Sequence, residues 1–430
     1  MDDLSELDRY LAYLSEALGH ADRHAGLADY CRGLMLPIER KSVEPLAAHT
    51  DPLHVRSKHQ SLHHFVADSA WSDAAVLARV EDWVVPTLGV ESGCYWIVDD
   101  TGYPKSGRHS VGVGHQYCGN LGTTANCQVA VTLSLATTRG SLPIRYRLYL
   151  PEDWANDPAR RAKTGVPQEV VFTTKPQIAL AQIESAVAAG VSPGVVLADA
   201  AYGDVTAWRD RLTALGLPYM VGIRPATTLW PPGIAPLPPK PWSGIGAPPK
   251  RLRHAPGHRP IAAAELAKTL PEDAWQTIAW REGTNTTLSS RFVGLRVRPG
   301  FRSAQTGTLR AEEWLLVEWP EHAPAPDHYW LSTAPTDATL EQLVFVAKMR
   351  WRVERDYREL KQEFGLSHYE GRNWRGFHHH ATLCIAAYGF LTAQRLGQAG
   401  AKKNPARPEA PALPDDYVPR GRPSWPAARP

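Results

Sequence analysis

The chain of 430 residues predicts an α/β protein: a core of strands and helices, interrupted by a β-rich insertion and preceded by a helical N-terminal region. Three patterns carry that expectation. Leucines at helical spacing open the chain, apolar β-branched runs surround one amphipathic helix between about 95 and 200, and a proline-rich break then leads into further strands. Two of the apolar runs end in aspartate, Asp99 in YWIVDD and Asp199 in VVLAD, and a late helical stretch, MRWRVERDYRELK, carries Glu354. Strand ends are where open α/β sheets place their chemistry.

Composition bounds the function. Apolar residues at 43% and charged ones at 21% describe a soluble globular protein, and the length suits two to three domains at roughly 100–200 residues each. No stretch approaches the roughly 18 uninterrupted apolar residues that cross a bilayer, and Met1-Asp-Asp-Leu is no basic leader, so a cytoplasmic, nucleoid-associated protein without a membrane partner is expected. Five cysteines, an odd number without any C-x-x-C, argue against a disulfide framework or a zinc ribbon. His115, Cys118 and Cys127 could only be forced into a metal site. Net charge is just +3, but its distribution is uneven. Met1 to Val90 holds fourteen Asp and Glu against eight Lys and Arg, whereas Arg224 to Arg298 holds eleven basic residues against four acidic. That middle region carries the positive field a polyanion needs, although scattered basic loops give the same count.

Along the chain, LSELDRYLAYLSEAL places Leu4, Leu7, Leu11, Leu14 and Leu18 on one side of a helix, and further helices follow to about residue 90, with Ser72 and Asp73 placed to cap the last. Such a domain fits either DNA binding or a structural cover, and its acidic excess favours the cover. YWIVDD, CQVAVTLSLAT and LPIRYRLYL read as three adjacent antiparallel strands separated by glycine- and asparagine-rich turns. The helix PQIALAQIESAVAAG and the strand VVLAD come next. No G-x-G-x-x-G opens a helix here, so no nucleotide cradle is read. This β-β-β-α-β order is that of the RNase H-like fold.

After the helix AWRDRLTAL and the strand YMVGI, eleven prolines between Pro225 and Pro260 mark loop or extended structure. TIAWREGT, SSRFVGLRVRPG and EEWLLVEWP then read as the strands of an insertion, followed by YWLSTA. One helix capped near Asp337, LEQLVFVAKMRWRVERDYRELKQEFG, and a second, HHHATLCIAAYGFLTAQRLG, close the core. The expected divisions are 1–90, 91–224, 225–325, 326–400 and a disordered tail at 401–430 with eight prolines.

Three carboxylates without nearby Cys or His suit hard cations such as Mg²⁺ or Mn²⁺, and a pair of such ions clamps the attacking and leaving oxygens of a phosphodiester. On a continuous helix Arg350, Glu354, Tyr357 and Lys361 share one stripe, a carboxylate flanked by groups that bind phosphate. The competing reading pairs Glu354 at i,i+4 with Arg350 and Arg358 on a solvated face. Consecutive residues of a helix point in different directions, so His378, His379 and His380 do not make a three-ligand site.

IVDDTGYPKSG, VLADAAYGD and R-W-R-V-E-R-D-Y-R-E-L-K together resemble the three catalytic blocks of bacterial insertion-sequence DDE transposases, in the group whose helix reads Y-x2-R-x3-E-x6-K. Arg350, Glu354 and Lys361 fall at that spacing, and the likeness spans roughly residues 35 to 395. It implies an RNase H-like catalytic core and a DNA transposase, with two Mg²⁺ ions (Mn²⁺ substituting) on Asp99, Asp199 and Glu354. It also implies a homodimer that binds terminal inverted repeats, cleaves the strands and joins them to target DNA. The group's tyrosine falls on Ala347, leaving Tyr357 as a replacement. Asp100 is the alternative to Asp99, which is favoured because Thr101 completes a D-x-T. Trp330 sits where relatives that form hairpins stack a flipped base, and equally reads as a core tryptophan. Lys105 reads as a phosphate contact or a surface lysine. Two other classes share parts of this pattern: a catalytically silent DNA-binding regulator, and another RNase H-like nuclease.

Overall fold

The computed structural model describes residues 5–282, 287–300 and 309–401. The tail expected at 401–430 lies, Ala401 aside, outside the described residues. Five helices come first: α1 (Glu6–Ser15), α2 (His24–Met35), α3 (Val43–Thr50), α4 (Val55–His63) and α5 (Asp73–Leu88). Strands β1 (Tyr95–Pro104), β2 (Gly114–Cys118), β3 (Thr123–Ala136) and β4 (Ser141–Leu148) follow, then helices α6 (Glu152–Ala155), α7 (Pro158–Thr164) and α8 (Lys175–Ala188). Next come β5 (Val195–Ala198), α9 (Ala200–Gly203), α10 (Thr206–Ala214), β6 (Tyr219–Ile223), β7 (Thr228–Trp230), β8 (Ile261–Ala262) and α11 (Ala263–Lys268). Strands β9 (Gln276–Glu282), β10 (Thr287–Pro299), β11 (Glu313–Trp319) and β12 (His328–Ser332) precede α12 (Leu340–Lys348), α13 (Trp351–Gln362) and α14 (Trp374–Ala401). This is a mixed α/β fold, as expected for an RNase H-like core with a helical region. The chain divides into two compact units, one made of the residues up to Ser192 together with those from Trp351, the other of Pro193–Arg350.

In the first unit β1 lies antiparallel to β3 over its whole length, from Tyr95 opposite Ala136 to Pro104 opposite Cys127. Strands β2 and β4 pair with β3 in turn. The apolar start of β1, Tyr95 to Val98, and ten successive residues of β3 are buried, as continuous β-branched runs require. Ser72 caps α5 by accepting from the Ala75 N–H at 3.2 Å, the cap its sequence predicts. Helix α2, not singled out in the sequence, buries Leu27, Tyr30, Cys31 and Leu34 on one face. Helix α14 is the hub: Tyr10 donates to its Ala386 carbonyl at 2.9 Å. The three consecutive histidines point three ways and serve packing. His378 Nε2 accepts from the Leu148 N–H, His379 sits between the Val66 and Trp71 carbonyls, and His380 bridges Tyr30 and Gly365.

In the second unit β5 runs parallel to β6, and β6 pairs antiparallel with β12. From there β11, β10 and β9 continue edge to edge, while β7 and β8 join the far end of β10. The insertion strands therefore extend the sheet of β5 and β6 rather than forming a sheet of their own. Their core gathers Leu229, Leu266, Trp275, Val293, Val297, Leu315, Val317 and Leu331.

The expected single helix from Leu340 to Gly365 is two. Helix α12 starts at the Thr339 cap, whose hydroxyl accepts from the Gln342 N–H, rather than near Asp337, and stops at Lys348. Met349 and Arg350 form a turn and α13 begins at Trp351. Each helix buries its own apolar face within its own unit: Leu343, Val344, Val346 and Ala347 on α12, and Val353, Tyr357 and Leu360 on α13. Arg350 consequently leaves the stripe that Glu354, Tyr357 and Lys361 still share.

Candidate active site

Asp99 and Asp100 occupy successive positions of β1, so their side chains take opposite faces of the sheet. Asp100 belongs to the α8 face, where the Lys175 ammonium meets its Oδ2 at 3.0 Å. Asp99 lies opposite Thr132 of β3 and shares its face. The Thr132 hydroxyl is hydrogen-bonded to the Tyr357 hydroxyl of α13, so Asp99 faces the helix that carries Glu354. Burial drives the Tyr357 phenol well above its ordinary pKa, and the Asp99 carboxylate adds to the shift. One turn later, Lys361 Nζ donates to the Gly102 carbonyl at 3.0 Å. Helix α13 therefore runs alongside β1 in the same direction, with Tyr357 at the level of Asp99 and Lys361 at Gly102. Glu354, one turn before Tyr357, is exposed in the first turn of the helix, the end that favours negative charge.

Deeper contacts fix α13 in this register. Asp356 is buried and accepts from Ser141 Oγ at 2.7 Å and from the Tyr388 hydroxyl at 2.6 Å. Burial pushes its carboxyl up to about 6, against the pull of those two hydroxyls. Arg352 donates to the Thr138 carbonyl from the same side of the helix. Two residues on either side of Glu354 thus bolt the helix to β4, the β3–β4 turn and α14. Sequence reading missed Asp356, although an acid inside the apolar stripe Val353, Tyr357, Leu360 is a visible signal.

In the second unit Asp199 ends β5 and caps the short α9, its Oδ1 accepting from the Ala201 N–H at 2.9 Å. Gly203 is obligatory there: a Cβ at that position would fall 2.0 Å from the Gly222 carbonyl oxygen of β6. Arg209 donates to the Gly203 carbonyl, and Asp204 accepts from the Arg224 N–H at 3.1 Å, so the turn after Asp199 is held rigidly.

The remaining candidates have definite surroundings. Trp330 on β12 is half-buried, stacked on His328 at 5.8 Å and lying 5.7 Å from the Lys348 ammonium, which also rests against Trp280 and Phe292. Tyr357 is buried with its hydroxyl engaged, which makes it a positioning contact and not an open surface for DNA. Lys105 Nζ donates to the Tyr369 carbonyl at 2.8 Å, tying the end of β1 to the loop before α14. Ala347 is buried in α12. Asp99, Asp100, Glu354, Tyr357, Lys361 and Lys105 belong to the first unit; Asp199, Trp330 and Arg350 belong to the second. Among the described residues no three His, Cys, Asp or Glu side chains make up a metal-holding group. The donor chemistry of Asp99, Asp199 and Glu354, carboxylate oxygen throughout, nevertheless fits a hard divalent cation.

A mixed α/β chain with one aspartate midway along a long strand and another directly after a buried one has the make-up of an RNase H-like nuclease, and comparison with known proteins agrees. Residues 13–287 match the DDE superfamily endonuclease family, and the chain belongs to it. That span includes Asp99 and Asp199 and stops short of Glu354. The chain is also 25% identical, over 313 residues, to the probable transposase for insertion sequence element IS701 of Microchaete diplosiphon, a match covering 72% of this chain and 67% of that protein. Among the described residues no helix is long and apolar enough to cross a membrane.

The two faces of β1 separate the neighbouring aspartates experimentally. Asp100→Asn removes half of a partly exposed ion pair, worth about 1 kcal/mol or less. Cleavage by that variant is expected to stay within about fivefold of the parent in a gel assay of labelled duplex, whereas Asp99→Asn is expected to be silent.

Proposed function

We propose that the protein is a DNA transposase of an insertion sequence, working in the nucleoid as a homodimer that binds terminal inverted repeats, cleaves them and transfers the freed 3′ ends to target DNA. Asp99, Asp199 and Glu354 hold two divalent cations, Mg²⁺ or Mn²⁺. When bound, such ions lower the barrier for in-line attack on a phosphodiester by supplying charge to both the entering and the leaving oxygen. The protein's own residues do the rest. Glu354 is presented on a helix pinned by Asp356 and Arg352, so its carboxylate is fixed before DNA arrives. Lys361 sets a positive charge beside β1, Arg350 offers a planar fork to phosphate, and Trp330 offers an indole face to an unpaired base. Water is the nucleophile in cleavage and the 3′-hydroxyl in joining; no covalent protein intermediate is required.

The observation that carries this reading is the alignment of α13 with β1, which sets the Tyr357–Lys361 stripe against the face that Asp99 occupies. Family membership and the likeness to a probable transposase support it. The deciding experiment is cleavage by the full chain of duplexes carrying the DNA that flanks its own gene, with Mg²⁺ or Mn²⁺. Nicks at the repeat boundary followed by joined products are expected. Binding without any cleavage would point to the silent regulator, and cleavage indifferent to the flanking repeats to another nuclease of this fold.

Lys361 gives a pH signature. Burial lowers its ammonium to about 8, so its charge is present below that pH and fades above it. Affinity for the element's end should fall as pH rises through about 8, and Lys361→Met should flatten that part of the profile. A parent whose affinity ignores pH between 7 and 9 would remove Lys361 from the phosphate contacts.

A further inference from the structure

Between β7 and β8 the chain makes an excursion that carries no negative side chain. From Thr228 to Ala262 there is no Asp or Glu, but there are Lys240, Lys250, Arg251, Arg253 and Arg259. An even spread of the chain's 44 acids over 430 residues would put about three or four there. The excursion is closed at its root and again further out. At the root β7 pairs antiparallel with β8, Thr228 opposite Ala262, and the Ala263 N–H donates to the Thr227 carbonyl at 2.9 Å. Further out Leu237 and Arg253 exchange two backbone hydrogen bonds of 2.8 Å, and Arg253 Nε donates to the Pro238 carbonyl at 2.9 Å. His258, 5.2 Å from the Trp230 ring, stiffens the part between, its Nε2–H donating to the Ala235 carbonyl at 2.7 Å.

Beyond that second closure the chain leaves the fold. Every residue from Lys240 to Arg251 is exposed. Pro238, Pro239, Pro241, Pro248 and Pro249 fix φ and remove backbone donors, so this arm neither pairs as a strand nor behaves as a slack loop. At its tip the Trp242 indole donates to the Gly246 carbonyl at 3.1 Å across a turn in which Gly244 and Gly246 have φ +85° and +75°. Ile245 is 86% exposed in that turn and Trp242 is 55% exposed beside it. Two large apolar side chains held in water, with Lys240, Lys250 and Arg251 just behind them, serve no packing purpose within the unit. The root of the arm lies next to the turn after Asp199, where the Arg224 N–H and the Thr227 hydroxyl both donate to Asp204 Oδ1.

We infer that this proline-rich arm is a sequence-indifferent contact for duplex DNA, in which Lys240, Lys250 and Arg251 meet phosphates while Ile245 and Trp242 wedge against a base step from the minor groove. The partner class rests on the transposase reading above; the element and its residues come from the structure. Basic side chains behind an apolar wedge are the equipment of minor-groove proteins that partly unstack a step and bend the duplex. An arm without acids approaches the phosphates unopposed, and one already stiffened by proline loses little freedom on docking. From Pro241 to Pro249 the only polar side chains are the Trp242 indole and the Ser243 hydroxyl, so the tip has nothing with which to read base edges bidentately.

The test uses the full chain and three fluorescent duplexes: the element's own end, a scrambled sequence, and the scrambled sequence with a central mismatch. Anisotropy is read at several salt concentrations. Lys240→Ser/Lys250→Ser/Arg251→Ser should weaken all three duplexes alike, at least about tenfold at about 0.1 M salt, and reduce the salt slope by about two to three. Trp242→Ser/Ile245→Ser addresses the wedge. The parent should prefer the mismatched duplex at least about threefold, because its step is already partly unstacked, and this variant should lose that preference. All five side chains are exposed, so both variants should melt with the parent. Unchanged affinity in the charge variant, or equal mismatch preference in the parent and the tip variant, overturns the inference and leaves the transposase reading standing. A parent that binds no duplex overturns both. If either variant loses self-association in sedimentation while keeping its DNA affinity, the arm is an interface between copies of the chain and the inference is wrong.

Discussion

Asp199→Ala is expected to abolish strand cleavage in Mg²⁺ or Mn²⁺ while leaving binding to the element's ends intact, and Asp99→Asn and Glu354→Gln are expected to do the same. On the proposed reading each removes a carboxylate that would hold a divalent cation, so a loss of more than about 10³-fold, about 4 kcal/mol of transition-state stabilisation, is expected. Binding survives because affinity for duplex DNA comes mainly from phosphate contacts made by basic groups. The measurement pairs a gel assay of end-labelled duplex with an affinity measurement on the same preparation. Asp199→Ala is the sharpest case, since Asp199 also caps α9 and its loss costs about 1 kcal/mol of local stability, well short of unfolding the unit. Parental cleavage by that variant would sink the assignment.

The second large effect is on acid stability. His380 is fully buried and satisfied only as the neutral ring, with Nε2–H donating to the Gly365 carbonyl and Nδ1 accepting from the Tyr30 hydroxyl, each at 2.9 Å. Burial pushes its pKa down to about 4. An unfolded ring takes up a proton near pH 6.5, so the stabilisation is whole above that pH, declines as pH falls and is gone below about 4. The difference amounts to about 3 kcal/mol. Chemical unfolding at pH 7 and at pH 4 should show the parent losing that much more stability than His380→Gln. Equal losses in the two proteins would place the acid sensitivity elsewhere.

Much of this was legible because it is local. The strand character of β1, β3 and β5, Asp199 at the end of β5 and the Ser72 cap follow from short apolar runs and one side-chain preference, whereas Asp99, expected to close its strand, sits midway along β1, which runs on to Pro104. The choice between Asp99 and Asp100 became geometric once the register with β3 and the partners Tyr357 and Lys175 were known, and register is not written in either strand alone. The break at Met349–Arg350 was hidden because apolar residues recur at helical spacing across it, with neither proline nor glycine to mark it. Two half-helices burying their faces in different units keep the periodicity of one. The way β9 to β12 extend the second unit's sheet depends on pairing over long sequence separations, which composition does not encode. Asp356 was overlooked because charged neighbours flank it, although its place inside the apolar stripe of Val353, Tyr357 and Leu360 marked it.

The anchoring of α13 has an evolutionary corollary. Its hold on the first unit comes from Ser141, Thr138 and Tyr388, all outside the segment that lies between Asp199 and Glu354. The long excursion through the second unit therefore does not set the register of Glu354. Closing a longer loop costs only about 0.6 kcal/mol for each doubling of its length. The stretch from β7 to β11 can therefore change length while the glutamate keeps its place beside β1, whereas β6, which packs on the turn after Asp199, is bound to stay.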